Sequence, residues 1–232
     1  IFCEDTRRSV QLLNHFGIHK PLVSCHAHNE RERAAELVGL LSAGRTVCYL
    51  SDAGMPGISD PGAALVSACI EHNLPYTVLP GASAVLTAAV LSGLPCGTFT
   101  FYGFLPRAGK ARKEALAEIG RCRHLALLYE SPHRVRDTLS ALLEALGDCD
   151  AAVLRELTKK FETAERGKLS ALIARFAEEP RGECVIAVDC ASRRQAVPAQ
   201  DAVCSLDAAI GKALASGLSV KDAAKVAADA LN

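Results

Sequence analysis

Two carboxylates and two guanidiniums follow the first apolar segment of the chain. Residues 1–3 have the composition of the end of a buried strand, and Glu4, Asp5, Arg7 and Arg8 come directly after it. Carboxylates are common proton acceptors in catalysis, and guanidiniums bind phosphate well. The same residues would also suit the start of a helix, because acidic side chains stabilise a helix N-terminus. The pattern alone leaves both interpretations open.

A long loop rich in glycine, proline, serine and aspartate occupies residues 51–62. It follows Thr46–Leu50, a short apolar run typical of a buried parallel strand. Asp60 as N-cap and Pro61 in the first turn predict a helix that reaches Asn73. A plain connection needs only about two to six residues, and open α/β sheets bind ligands at the carboxyl ends of their strands. The segment therefore predicts a ligand-binding loop.

A second glycine-containing loop follows a predicted strand at Tyr76–Leu79. Residues 80–84 open a segment that is apolar nearly all round to Leu91, which predicts a buried helix. The free N–H groups at its start could bind an anion, or the segment could be a tight turn between strand and helix. Two such loops after consecutive strands favour a ligand site.

Composition excludes several other classes of protein. The 232 residues have a formal net charge of zero, and no apolar run approaches the roughly 18 residues of a membrane span. The ten cysteines include no Cys-x-x-Cys pair and predict reduced, mostly buried thiols of a cytoplasmic protein. His26 and His28 suggest a metal site. No further ligand residue stands at a suitable spacing from them, so no metal is expected.

The chain alternates strand and helix patterns throughout, which predicts an α/β fold. Gly93–Gly97 has the composition of a hinge, so we predict domains at residues 1–95 and 96–190. The charged, proline-containing segment 191–200 predicts a linker, and two short helical patterns predict a small helical segment at 201–232.

Several motifs together resemble one family, the ribosomal RNA small subunit methyltransferase I enzymes. The resemblance covers residues 1 to about 190, and its motifs are Cys3-Glu4-Asp5-Thr6-Arg7, residues 51–62, Leu79-Pro80-Gly81, Tyr129-Glu130-Ser131-Pro132-His133-Arg134, residues 155–159 and Gly182-Glu183. It implies the tetrapyrrole methylase fold, in which two α/β domains hold S-adenosylmethionine in a cleft between them. It also implies 2'-O-ribose methylation of a cytidine in 16S rRNA of the small ribosomal subunit.

The resemblance assigns roles to residues of this sequence. It implies cofactor contacts for Asp52, Ala53, Gly54, Ile58, Pro80, Gly81, Ser83, Ala84, Glu130 and Leu157. For the reaction that the resemblance implies, side-chain chemistry and position at a strand's carboxyl end favour Glu4 or Asp5 as the proton acceptor, with Glu130 and Glu162 as alternatives and Lys159 as an electrostatic aid. The cationic side chains that could hold RNA phosphates are Arg7, Arg8, Arg134, Arg136, Lys159 and Lys160.

The start of the chain departs from the family pattern, and its oligomeric state and net charge raise further questions. Members of the family begin with a strand, a loop and a helix before the Glu4 motif, so we expect an N-terminally truncated enzyme. Relatives with this fold usually pair, so a homodimer is expected. The zero net charge contrasts with the basic surface usual for RNA enzymes. A small-molecule methylase of the tetrapyrrole type and a non-catalytic RNA-binding module are the alternatives.

Overall fold

The computed structural model describes residues 1–192, 211, 214 and 219–222. The chain divides into two compact units, Ile1–Ala88 and a second unit that starts at Ala89, shortly before the predicted hinge. Most of the predicted helical segment at 201–232 and most of the predicted linker at 191–200 lie outside the described residues.

The first unit is built around a short, parallel, three-stranded sheet with the order β2-β1-β3. Its elements are β1 (Phe2–Cys3), α1 (Thr6–His15), β2 (Val23–Ser24), α2 (Glu30–Ser42), β3 (Tyr49–Leu50) and α3 (Ala63–Glu71), followed by α4 (Ala84–Leu91), which contains the division between the units. Cys3 of the central strand lies opposite Ser24 on one side and Leu50 on the other. Because all strands run in the same direction, the segments after them meet at one edge of the sheet.

The core of the first unit lies between the sheet and two helices. Phe2 and Cys25 pack with Leu37 of α2 and with Leu65 and Cys69 of α3. Burying these side chains removes apolar surface from water, which is the main force that holds the helices on the sheet. The helices thereby leave the carboxyl edge of the sheet to the polar segments that follow each strand.

The prediction of a strand at Tyr76–Leu79 is wrong. These residues pair with no strand of the described chain, and Tyr76, Val78 and Leu79 are 50%, 56% and 77% exposed. The run has the composition of a strand, but a strand forms only where a neighbouring strand supplies hydrogen-bond partners.

The prediction that α4 is buried all round is also wrong. Val85, Ala88 and Ala89 are buried, whereas Leu86 and Val90 are 55% and 75% exposed. Composition shows that a helix lacks a polar face, but the tertiary structure decides which faces are covered. Neither α4 nor any other helix of the described residues is long and apolar enough to cross a bilayer.

Glu30, in the first turn of α2, holds the start of α3. Its Oε1 accepts the backbone N–H groups of Gly62 at 2.6 Å and Ala64 at 2.8 Å. The N-cap residue is Gly62, with φ of +134°, and not Asp60 as the sequence suggested. A Cβ at Gly62 would lie 3.2 Å from the Tyr49 ring, so the close approach requires glycine.

We expect Glu30→Ala to lower the free energy of unfolding by about 0.5–2 kcal/mol, because the first N–H groups of α3 lose an anionic acceptor. Glu32→Ala is the matched control, since Glu32 is an exposed glutamate of the same helical turn. It should change stability by less than about 0.5 kcal/mol. Urea denaturation followed by circular dichroism measures both, and equal effects would contradict the capping role.

The second unit contains a five-stranded mixed sheet with the order β4-β5-β8-β6-β7. Its elements are β4 (Phe99–Phe104), α5 (Gly109–Arg121), β5 (Leu125–Glu130), a 3₁₀ turn (Pro132–Arg134), α6 (Val135–Leu146), β6 (Asp150–Arg155), β7 (Thr163–Lys168), α7 (Leu169–Arg175) and β8 (Cys184–Asp189). β4 and β5 are parallel, and β8 runs antiparallel to both β5 and β6. The carboxyl ends of β4, β5 and β6 therefore lie at the same edge as the start of β8.

The sequence did not predict β7. Its residues, Thr-Ala-Glu-Arg-Gly-Lys, are polar and half-buried or exposed, so they lack the apolar pattern of a strand. The segment becomes an edge strand because it pairs with β6 as a hairpin. By contrast, α6 carries apolar residues at helical spacing, and Leu139 and Leu142 on that face are fully buried.

The prediction of mostly buried thiols is confirmed among the described residues. Seven of the nine described cysteines are buried, whereas Cys48 is exposed and Cys96 lies between these classes. Burial raises the pKa of Cys25 and of Cys184 to about 11. These thiols therefore remain protonated and unreactive at neutral pH.

Candidate active site

The carboxyl edge of the first unit brings Glu4, Arg8 and Asp52 together. Glu4 follows β1, and its Oε2 accepts the backbone N–H of Asp52, which follows β3, at 3.1 Å. Arg8 of α1 places its Nε 3.5 Å from Oδ2 of Asp52. Residues from two predicted motifs, 48 positions apart, thus form one charged cluster.

Asp52 carries an unsatisfied oxygen in this cluster. Its Oδ1 is buried and has no hydrogen-bond partner among the described residues, although 21% of the side chain is exposed. Leaving a buried acceptor unpaired costs about 1–3 kcal/mol, and more for a charged group. Such an atom in a native fold calls for an explanation, and a donor on a bound ligand would supply one.

Asp5 is the N-cap of α1, so the interpretation of this segment as a helix start is confirmed. Its Oδ1 accepts the backbone N–H of Arg7 at 2.8 Å, and its Oδ2 accepts the Arg7 guanidinium at 2.6 Å. These bonds, the side-chain one first, lower the pKa of Asp5 to about 2. The ionised cap therefore stabilises the fold above pH about 4, and this contribution is lost as the pH falls toward about 2.

The two predicted ligand loops lie against each other in the first unit. A Cβ at Gly54 would lie 3.7 Å from the carbonyl oxygen of Ala82, and one at Gly81 would lie 3.5 Å from Sδ of Met55. Ser83 directly precedes α4; its Oγ accepts the backbone N–H of Leu86 at 3.5 Å, and its carbonyl accepts the hydroxyl of Thr87 at 2.9 Å. Residues 51–62 and 80–84 therefore form one continuous surface.

His26 is a second residue with a buried, unpaired polar atom, and the sequence motifs did not indicate it as a candidate for ligand binding. It follows β2, and its Nδ1 is buried without a hydrogen-bond partner among the described residues. Its backbone N–H donates to Oδ1 of Asn29 at 2.8 Å, and the His28 ring lies edge-on at 5.9 Å. The sequence pattern marks His26 only as a candidate metal ligand. Its position directly after a strand was the available signal.

In the second unit, the side chains of Glu130 and Arg134 bind to other groups of the protein itself. The Glu130 side chain is 0% exposed and accepts the Ser131 N–H at 2.8 Å and the Thr138 hydroxyl at 2.7 Å. Arg134 lies 3.5 Å from the same carboxylate and donates to the carbonyl of Leu105 at 2.8 Å. Together they fix the turn after β5 to the segment after β4. Arg136, the neighbouring predicted RNA ligand, is exposed.

The segment after β6 has a strained backbone. Glu156 and Thr158 adopt φ of +52° and +64° on either side of the half-buried Leu157. Left-handed conformations of non-glycine residues cost about 1–3 kcal/mol each and cluster at functional sites. Strain at this point is therefore consistent with a ligand contact near Leu157.

A network of charges holds this strained segment. Oε1 of Glu156 accepts the Glu183 backbone N–H at 2.9 Å and the Lys159 ammonium at 3.0 Å, and Lys159 also reaches Oε2 of Glu183 at 2.9 Å. A Cβ at Gly182 would lie 2.6 Å from Cγ of Glu156, so only glycine fits. The bonds to Glu183 and Glu156 raise the pKa of Lys159. The motif at residues 155–159 and the Gly182-Glu183 motif, which are far apart in the sequence, are thus in direct contact.

Comparison with known proteins defines the class of this fold. The family described as Tetrapyrrole (Corrin/Porphyrin) Methylases matches residues 1–173. The chain belongs to the tetrapyrrole methylase family, and the predicted fold is confirmed.

Individual relatives confirm the resemblance found in the motifs. Ribosomal RNA small subunit methyltransferase I of Streptococcus pyogenes serotype M1 is 43% identical over 189 residues, which cover 81% of this chain and 66% of that protein. The enzyme of the same name from Halalkalibacterium halodurans is 47% identical over 169 residues, which cover 73% of this chain and 58% of that protein. The chain thus spans less than two thirds of the length of these curated relatives.

A solved structure supports the fold alone. Uroporphyrin-III C-methyltransferase from Thermus thermophilus, crystallised with S-adenosylhomocysteine, superposes with a TM-score of 0.56 at 19% identity. The match covers 83% of this chain and 85% of that structure.

Proposed function

We propose that the chain carries out S-adenosylmethionine-dependent methylation of small-subunit ribosomal RNA, at the ribose 2'-hydroxyl of a cytidine in 16S rRNA. The observation that carries the proposal is the buried, unpaired Oδ1 of Asp52 beside the two packed glycine loops. The names of the relatives at 43% and 47% identity support the choice of RNA over other substrates of the family.

The carboxyl edge of the first unit fits a polar cofactor. Asp52 offers an acceptor that lacks a donor, and Gly54 and Gly81 let the two loop backbones lie close together. We assign the cofactor to this surface, with the contacts Asp52, Ala53, Gly54, Ile58, Pro80, Gly81, Ser83 and Ala84. When bound, S-adenosylmethionine supplies an activated methyl group. The contacts implied for Glu130 and Leu157 stay predictions.

The protein must also orient the ribose and accept the proton of its 2'-hydroxyl. A ribose hydroxyl is a weak nucleophile, so a carboxylate within hydrogen-bond reach would help. Glu4 suits this role better than Asp5, because the Arg7 contacts hold the pKa of Asp5 near 2 and make it a weak base. Glu130 is fully buried and hydrogen-bonded, which favours a positioning role.

Several predicted phosphate ligands have exposed side chains. Arg7 and Arg8 are 87% and 71% exposed, and Arg136 and Lys160 are also exposed. Because Arg7 and Arg8 are ion-paired with Asp5 and Asp52, Arg136 and Lys160 are the members of this set that can add local positive charge to a chain whose net charge is zero. Phosphate contacts hold and orient RNA without reading its sequence. A homodimer and a cytoplasmic location stay predictions, and light scattering of the purified chain would test the first.

Methyl transfer to isolated, unmethylated small ribosomal subunits tests the proposal directly. We expect transfer from labelled S-adenosylmethionine and recovery of 2'-O-methylcytidine after digestion of the 16S rRNA. Transfer to a tetrapyrrole in place of RNA would establish the small-molecule alternative. RNA binding that is indifferent to S-adenosylmethionine, without transfer, would overturn the proposal in favour of a binding module.

A further inference from the structure

An exposed aromatic side chain stands beside the strained segment after β6. Phe161 is 63% exposed, and the ammonium of Lys160 lies 5.5 Å from the centre of its ring. An exposed phenyl ring gains little from the hydrophobic effect, so its position is not explained by packing. Aromatic rings flanked by cations are the common platform on which proteins stack bases of single-stranded RNA.

Phe161 forms one wall of a surface pocket in the second unit. The other walls are Arg155, Glu156, Arg181 and Gly182, and the pocket volume is about 280 Å³. This lies just below the roughly 300–1,000 Å³ typical of small-molecule pockets. The size suits a single ring system such as a nucleobase rather than a tetrapyrrole macrocycle.

The walls of the pocket are held in place. Glu156 is fixed by the Glu183 backbone and by Lys159, and Gly182 leaves space that any Cβ would fill. The backbone N–H of Thr158 donates to Oε2 of Glu162 at 2.6 Å, which anchors the loop that carries Phe161. A preformed pocket loses less entropy when it orders a ligand.

The charges around the pocket suit a nucleotide. The Arg155 guanidinium donates to two neutral acceptors, the Thr163 hydroxyl and the Arg181 carbonyl, both at 3.2 Å. Its positive charge, with that of the exposed Arg181, can therefore attract a phosphate. A carboxylate in the wall, that of Glu156, can accept from the exocyclic amino group of cytosine.

We propose that this pocket binds one unstacked, amino-bearing base of single-stranded RNA, with the base stacked on Phe161 and its phosphates near Arg155 and Arg181. The choice of RNA as the ligand rests on the proposed function. The base bound here is a recognition contact, and no chemical step is assigned to it.

The chain offers a direct optical test, because its sequence contains no tryptophan. Phe161→Trp creates a protein with a single indole, whose fluorescence is quenched when a base stacks on it. The probe is oligocytidine of about six nucleotides, within the usual site size for single strands. The control is an abasic oligonucleotide of equal length and charge at the same salt concentration. We expect saturable quenching by oligocytidine only, and equal quenching by both would overturn the proposal.

Affinity measurements on the phenylalanine itself give a second test. Phe161→Ala should weaken oligocytidine binding about 5- to 150-fold, which corresponds to loss of one stacked base, whereas Phe161→Tyr should retain it. Phe16→Ala is the matched control, since Phe16 is 66% exposed and belongs to the first unit. Equal affinities of the Phe161→Ala and Phe16→Ala variants would contradict the pocket.

Failure of this inference can be separated from failure of the proposed function. If the chain methylates small subunits but Phe161→Trp gives no base-dependent quenching, the pocket proposal fails and the methyltransferase proposal stands. If quenching depends on the base but no methyl transfer occurs, the pocket stands as an RNA-binding site and the proposed activity fails. A partner protein that binds Phe161 in place of RNA would leave oligocytidine binding unchanged in Phe161→Ala and so overturn the inference.

Discussion

Asp52→Asn should remove about half of the stabilisation that S-adenosylmethionine or S-adenosylhomocysteine confers on the chain. Asparagine keeps an acceptor oxygen but loses the negative charge, and a hydrogen bond to a charged group is stronger than a neutral one by about 1–1.5 kcal/mol, so the dissociation constant should rise roughly tenfold. A ligand at 100 times the dissociation constant stabilises the wild type by about 2.7 kcal/mol. At the same concentration, a variant that binds tenfold more weakly gains only about 1.4 kcal/mol. Thermal unfolding with and without ligand measures the difference.

The same substitution should leave the unliganded protein as stable as the wild type. It removes the charge from a buried oxygen that has no partner among the described residues, and the contact with the largely exposed Arg8 contributes little. Asp60→Asn is the control, because Asp60 is an aspartate of the same loop to which no cofactor contact is assigned. We expect Asp60→Asn to keep the ligand-induced shift. A full shift in Asp52→Asn would remove Asp52 from the cofactor site.

Glu130→Ala should lower the free energy of unfolding by about 3–5 kcal/mol, the usual cost of breaking a buried ion pair. The substitution leaves the Ser131 N–H and the Thr138 hydroxyl without their acceptor, and it removes the carboxylate that lies 3.5 Å from the Arg134 guanidinium. It also opens a cavity at the carboxyl end of β5. Urea denaturation measures the loss, and wild-type stability would contradict the internal role of Glu130.

Three further variants test this structural role and separate it from catalysis. Glu144→Ala is the stability control, because Glu144 is an exposed glutamate of α6, and it should change stability by less than about 0.5 kcal/mol. The double variant Thr138→Val/Glu130→Ala should lose less stability than the sum of the two single losses, because both substitutions remove the same hydrogen bond, from the Thr138 hydroxyl to Glu130. Glu130→Gln keeps an acceptor and the side-chain volume. If Glu130 only positions the turn, methyl transfer by Glu130→Gln should keep its pH profile.

Local patterns in the sequence were sufficient for much of the fold. The loop at residues 51–62 was recognisable because glycine, proline and aspartate have strong conformational preferences that act over a few residues. The helix at Val135–Leu146 was predictable because its apolar side chains recur at helical spacing, and they are buried as that spacing requires. The family followed from the same short motifs, since residues 1–173 match it.

The tertiary structure alone decided what depends on distant partners. Residues 76–79 have the composition of a strand but no strand to pair with among the described residues, whereas the polar β7 pairs with β6 and forms one. The hydrogen bond from the Asp52 backbone N–H to Glu4 and the fit of Gly182 against Glu156 join segments far apart in the chain. Composition and periodicity report the preferences of neighbouring residues. Pairing, burial and charge compensation are set by residues that only the fold brings together.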